Sequence, residues 1–208
     1  MSTNAKKAFD INIRRARYFL DIHQETQIGA GAPTLARREL PRGAVVFAVG
    51  ALDAYLSDVS ADVIVTGLRS EPGRSDLREV LRQVQKEVPT LSLEVALLPR
   101  ETDRVSHIQN AVLDHFRTSV SGFGVGAVSA AVRRMGGKSS DFWSAIVDEY
   151  PDAIAELDRW TAIRHQIVHS GMRPRVWRPH ARKFIDLVRY IVAALDKHAL
   201  AARKGPLG

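Results

Sequence analysis

The run from Pro41 to Thr66, "PRGAVVFAVGALDAYLSDVSADVIVT", constrains the fold more than any other part of the chain. At helical spacing, Val45, Val46, Phe47, Val49, Leu52, Tyr55, Leu56 and Val59 fall on most sides of the cylinder instead of on one stripe. A helix that is apolar nearly all round must be covered nearly all round. The run therefore predicts the buried central helix of a bundle. Pro41 suits its first turn, where a missing N–H leaves no bond unmade. The apolar stretch "GAVVFAVGALDAYL" is too short to span a bilayer and carries Asp53, so no membrane association is expected. On so buried a helix, Asp53 reads as an internally paired structural carboxylate.

The remaining segments supply the covering helices. Residues 5–25 place Phe9, Ile13, Ala16, Phe19 and Leu20 at helical spacing, and "TQIGAGAPTL" breaks the pattern. The loop "RSEPGRSD" leads to Ser75, a fitting N-cap for "SDLREVLRQVQKEV". Pro89 and Pro99 bracket "TLSLEVALL", which could be strand-like or a short helix, with helix or irregular chain the favoured reading. "ETDRVSHIQNAVLDHFRTSVS" is helical, and "GFGVGAVSAAVRRMGGKSS" holds a short helix between glycines. "SSDFWSAIVDEY" opens on a serine cap, and Pro151 begins a helix that Gly171 and Pro174 end. The last helix, "WRPHARKFIDLVRYIVAALDKHALAARK", buries a stripe of Phe184, Leu187, Val188, Ile191, Leu195 and Leu200. No internal repeat is visible. The expected fold class is all-α: one helical domain over 1–208, with additional helices inserted as an elaboration at about 70–150.

Composition narrows the chemistry. There is no cysteine, which excludes disulfides, thiol nucleophiles and cysteine-bound zinc and fits a reducing compartment. The opening "MSTNAKKAFDINIRR" has no apolar leader, so a cytoplasmic protein is expected. The net charge of +7 is unevenly placed. From Arg159 onward there are eleven Lys/Arg and two Asp/Glu, a local +9, which leaves residues 1–158 near −2. Such asymmetry points to an anionic partner, most often nucleic acid.

The basic region opens on "RHQIVHSG", Arg164 to Gly171. With Ile154 set at zero on a helical wheel, Leu157, Trp160, Ile163, Ile167 and Val168 fall between roughly 180° and 320°. Arg164 lands at roughly 280°, inside that apolar stripe, and His165 and His169 at roughly 20° and 60°, on its edge. An arginine on a core face must be paired, or must face a ligand or another chain. His165 and His169, four apart, have the spacing of two zinc ligands, but Gln166 stands where HExxH has glutamate and only His180 is near as a third. No metal or cofactor is expected. No nucleophile elbow supports a serine hydrolase, and "GFGVGAVSA" lacks the GKS/GKT of a phosphate loop.

Arginine and histidine five residues apart at a helix end suit phosphodiester chemistry. Histidine moves a proton near neutral pH, and arginine holds a phosphate with a planar fork of donors. RNA brings its own nucleophile, the 2′-OH. In-line transfer wants both a base and an acid, and a two-fold dimer with its axis near this helix would present the pair twice in one cleft.

"RHQIVHSG" resembles the R-X4–6-H motif of the HEPN superfamily, here R-X4-H. His165 fits the polar residue that the family prefers after the arginine, Val168 the aliphatic before the histidine, and Ser170 and Gly171 the small residues after it. "RRELPRGAVVFAVGALDAYLSDV" is similar to the long second helix of the RiboL-PSP-HEPN branch. The likeness covers about residues 5–66 and 140–200. It implies an antiparallel helical bundle that forms a homodimer, with a metal-independent endoribonuclease site shared at the interface. Arg164 would bind the scissile phosphate, His169 would transfer the proton or orient the 2′-OH, and His165 would be the polar third member. The partners implied are RNA and, in a toxin or defence setting, an antitoxin protein. Some members are non-catalytic and only bind nucleic acid or protein, which is the alternative reading.

Overall fold

The computed structural model describes residues 2–26, 34–70, 75–118 and 124–203. Among them are helices and no strand: α1 (Asn4–Glu25), α2 (Leu35–Ser70), α3 (Ser75–Glu87), α4 (Leu91–Leu97), α5 (Glu101–Thr118), α6 (Val125–Arg134), α7 (Ser139–Glu149), α8 (Ala153–His169) and α9 (Arg178–Arg203). The protein is all-α. The glycine-rich break over 27–33 and the loop over 71–74 lie outside the described residues.

The long α2 is the axis. Helices α1, α9, α5, α8 and α6 all pack against it. Ala44, Val45, Ala48, Val49, Leu52, Tyr55, Leu56 and Val59 are buried. By length and composition Arg37–Gly67 could cross a membrane, but its apolar window is 67% covered by the rest of the bundle, as a core helix would be. One strip stays uncovered. Phe47 and Gly50 are exposed and Val46, Asp53 and Ala54 half-exposed, at the three- and four-residue spacing of one helical face.

Three boundaries differ from the sequence expectation. Helix α2 begins at Leu35 and runs through Pro41, which sits inside the helix and not in its first turn. The ring removes only the donor to the Arg37 carbonyl, close to the helix start, and the packing of α1 along α2 carries the helix across it. Helix α8 begins at Ala153, because Pro151 and Asp152 form the turn after α7, with Ala153 N–H donating to the Tyr150 carbonyl at 2.9 Å. At α7 the N-cap is Lys138 and makes no side-chain capping bond; Ser139 and Ser140 are already helical.

Two cores result. The main one joins α1, α2, α6, α7, α8 and α9 around Phe9, Tyr55, Trp160, Phe184 and Ile191. Trp160 stacks on Phe184 at 5.5 Å between ring centroids. A smaller core gathers Leu77, Val84, Leu91, Val112 and Phe116 of α3–α5 against Ala61 and Ile64 at the far end of α2. The middle of the chain is thus of two kinds: α3–α5 bury their own cluster, while Val128, Val132, Phe142 and Trp143 of α6 and α7 belong to the main core. The bracketed "TLSLEVALL" contains the short helix α4.

Phe184→Ala is expected to lower the unfolding free energy by about 3–5 kcal/mol. Leu97→Ala, at a side chain 75% exposed, should change it by less than about 0.5 kcal/mol. Urea unfolding reads both. Equal losses would remove the Trp160–Phe184 stack from the core.

Candidate functional site

Burial fades along α8 toward its C-terminus. Ala153, Leu157 and Trp160 are buried, Ile163, Arg164 and Ile167 are half-buried, and His165, Val168 and His169 are exposed. The apolar stripe is therefore shorter than its pattern suggests. Ile154 at one end is 39% exposed and Val168 at the other 46%. Arg164 stands where the stripe runs out. Its stem can lie on apolar surface while its guanidinium reaches the open end of the helix.

Two groups bear on that guanidinium's chemistry. Nη1 lies 3.1 Å from Nε2 of His169. Arginine has only donors, so as a hydrogen bond the contact requires a lone pair on Nε2. On the α2 side is Asp53. Burial pushes its carboxyl above the usual value of 3.8, and the positive charge of Arg164 pulls in the opposite direction. Asp53 on α2 thus feels the charge of the motif arginine on α8, a relation that sequence spacing does not expose. His165 completes the group, its ring centroid 4.7 Å from that of His169 one turn on. The three predicted residues Arg164, His165 and His169 are together at the exposed end of α8.

The helix stops by glycine geometry. Gly171 has φ +60°, and the Met172 N–H donates back to the Gln166 carbonyl at 3.1 Å. The chain beyond, residues 171–177, is irregular and is held from α2. Arg42, only 8% exposed, donates through Nε to the Pro174 carbonyl at 2.7 Å and through Nη2 to the Arg173 carbonyl at 2.9 Å. Glu39 takes its Nη1 at 2.7 Å. Arg42 lies within the second-helix segment, but nothing in the spacing shows that it holds the chain after the motif. Its one legible signal is an arginine amid an apolar helix. Nearby, Arg178 Nε donates to the Leu20 carbonyl at 3.0 Å. Burial and the charges of Arg37 and Arg178 together push the His23 imidazole below its usual value, a sign of positive potential at this end of the bundle.

His180 is not with the other histidines. It lines a cleft of about 570 Å³ near the opposite end of α8, with Tyr150, Glu156, Arg159 and Lys183. Among the described residues no three His, Asp or Glu side chains gather as a metal site would require. Where described, the glycine-rich segment runs from Gly124 into α6. Its residues 122–123 lie outside the described residues, Gly124 has φ +89°, and the Val125 N–H opening α6 donates to Asp158 of α8 at 3.1 Å. A Cβ at Gly124 would meet that carboxylate at 2.7 Å, so no other residue fits there without a shift.

Comparison with protein families, curated proteins and solved structures returns no match to this chain.

The Asp53 shift has a sign that can be measured. A carboxyl raised in the folded state contributes stability that is full below 3.8 and is lost as pH rises through the folded value. Asp53→Asn removes that loss. Its stability relative to the wild type should therefore rise between pH 4 and pH 7 in urea unfolding. A wild type that gains on Asp53→Asn over that range would mean that the attraction of Arg164 outweighs burial.

Proposed function

We propose that this protein is a metal-independent endoribonuclease of the HEPN type, acting as a homodimer through Arg164 and His169. One observation carries the reading: a half-buried arginine and an exposed histidine within 3.1 Å of each other at the open end of a helix. In the reaction the ribose 2′-OH attacks the adjacent phosphorus and the 5′-oxygen leaves. The base takes the 2′-OH proton and an acid returns one to the 5′-oxygen, so the products carry a 2′,3′-cyclic phosphate and a 5′-OH. The Nε2 lone pair of His169, which faces Arg164 Nη1, would turn to the 2′-OH once Arg164 holds the phosphate oxygens. His165 lies beside it, its ring tilted to that of His169, as the polar third member. A second copy supplies the other half of the acid–base pair. The uncovered strip of α2 around Phe47, Gly50 and Asp53, next to Arg164, is consistent with such a two-fold contact. The basic last quarter of the chain fits RNA as the partner. In a toxin or defence setting, an antitoxin protein would be a further partner, and the reaction would take place in the cytoplasm.

A second reading is favoured by Asp53. An arginine whose charge offsets a half-buried carboxylate on the central helix could serve structure or the dimer alone, in a non-catalytic HEPN-like module that binds nucleic acid or protein. The two readings part on one experiment. Wild type, Arg164→Ala and His169→Ala are incubated with total cellular RNA in EDTA and the 3′ ends are analysed. The nuclease reading expects cleavage by the wild type with cyclic-phosphate ends and a loss of about 10²–10⁴-fold in His169→Ala. Activity that is equal in all three proteins defeats it. Intact RNA with a weakened dimer in Arg164→Ala favours the module.

A further inference from the structure

The chain that leaves the candidate site is itself built as a binding surface. From Gly171 to Trp177, "GMRPRVW", it runs between α8 and α9 without helix. Exposure alternates along its second half: Arg173, Arg175 and Trp177 are exposed, while Pro174 and Val176 between them are half-buried. Val176 packs against the main core. The period of two is that of an extended chain with one side turned to the protein and the other to solvent. The outer side thus carries two arginines and an indole in a row. Arg175 lies over the Trp177 ring at 4.0 Å, and the ring is still 51% exposed.

The strap is held in place. Arg42 binds the carbonyls of Arg173 and Pro174 from below. The Trp177 carbonyl accepts the Ala181 N–H at 3.0 Å, which anchors the indole at the start of α9. Arg173 has one ionic neighbour, Glu39 at 3.8 Å, and remains largely open to solvent. A half-exposed indole on anchored backbone offers a flat face on which an aromatic group can stack. Flanking arginines make that partner anionic.

We propose that the strap over 171–177 is a track for single-stranded RNA, in which Trp177 stacks on one base and Arg173 and Arg175 hold flanking phosphates. The proposal rests on the ribonuclease reading and specifies its substrate. Stacking on an indole needs a base whose face is free. An A-form duplex hides its base faces, whereas loops and single strands offer them. Arg173 lies four residues beyond His169, so the two are within about 14 Å. A strand on the strap therefore passes directly to the Arg164–His169 pair.

The test uses the full chain carrying His169→Ala, so that RNA stays intact. A fluorescein-labelled single-stranded RNA of about 12 nucleotides, within the range of single-strand sites, is titrated alone and annealed to its complement. Anisotropy should show tighter binding of the single strand. Adding Trp177→Ala should weaken it about tenfold, while Trp177→Phe keeps most of the affinity. Arg175→Ala should lower the log–log salt slope by about 0.7. Arg82→Ala, on exposed α3 far along the chain, should change nothing. RNA should also quench tryptophan emission, and Trp177→Phe should abolish the quench, because Trp143 and Trp160 are buried. Preference for the duplex, unchanged affinity in Trp177→Ala, or no binding would overturn the track. Wild-type cleavage that ignores Trp177→Ala would sink the strap and leave the nuclease. Strap-dependent binding without cleavage by the wild type would do the reverse.

Discussion

Covering α2 is the constraint on which the rest of this structure depends. A helix with Val45, Val49, Ala51, Tyr55, Ala61, Ile64 and Val65 buried around its circumference cannot face water on many sides. Each neighbouring helix takes a position that shields part of it: α1 and α9 along its length, α8 and α6 beside them, and α5 at its far end. Helix α8 is drawn in by Leu157 and Trp160, and that contact carries Arg164 to the flank of Asp53. The candidate site is therefore a consequence of core packing. The same burial that seats Trp160 on Phe184 aims the last turn of α8 outward.

Arginine does the connecting work at this end of the molecule, each time with a different partner. Arg164 reaches the His169 ring, and its charge is felt by the Asp53 carboxyl. Arg42 reaches from α2 to two carbonyls of the strap, and Arg178 from α9 to a carbonyl of α1. Five fixed donors and a permanent charge let one side chain serve carbonyls, carboxylates and a ring nitrogen. Backbone carbonyls left over at helix ends and in the irregular strap take these donors, so segments without helical bonds stay ordered. The accumulated positive charge is what an anionic ligand would meet.

Much of this was legible in the chain. The all-round apolar pattern of α2 announced a central helix, and the stripe on α9 announced its burial; Phe184, Leu187, Val188, Ile191 and Leu195 are all buried, with Leu200 at the fraying end half-buried. The grouping of Arg164, His165 and His169 followed from spacing on one helix, where 3.6 residues per turn leave little freedom. What spacing could not reach was any relation between helices. Asp53 could be read as a structural carboxylate, but the arginine whose charge acts on it lies 111 residues away, and only the approach of α8 to α2 brings the two into range. Arg42 and the strap carbonyls are 131 and 132 residues apart and offer no pattern at all. Boundaries erred where a local rule met tertiary support, as at Pro41, where packing by α1 outweighs one missing donor.

By itself the sequence determined the periodicities: that the chain is helical, that one helix is buried on most sides, that an arginine and two histidines share the end of another, and that positive charge collects in the last quarter. These are properties of neighbours along the chain, set by side-chain chemistry and the fixed geometry of a helix. The tertiary structure decided what each face meets. It chose Asp53 as the charge beside Arg164, left a strip of α2 uncovered, split the middle helices between two cores, and pinned the strap so that Arg173, Arg175 and Trp177 point outward. Those outcomes depend on which surfaces bury together most completely, a competition among all helices at once that no single segment encodes.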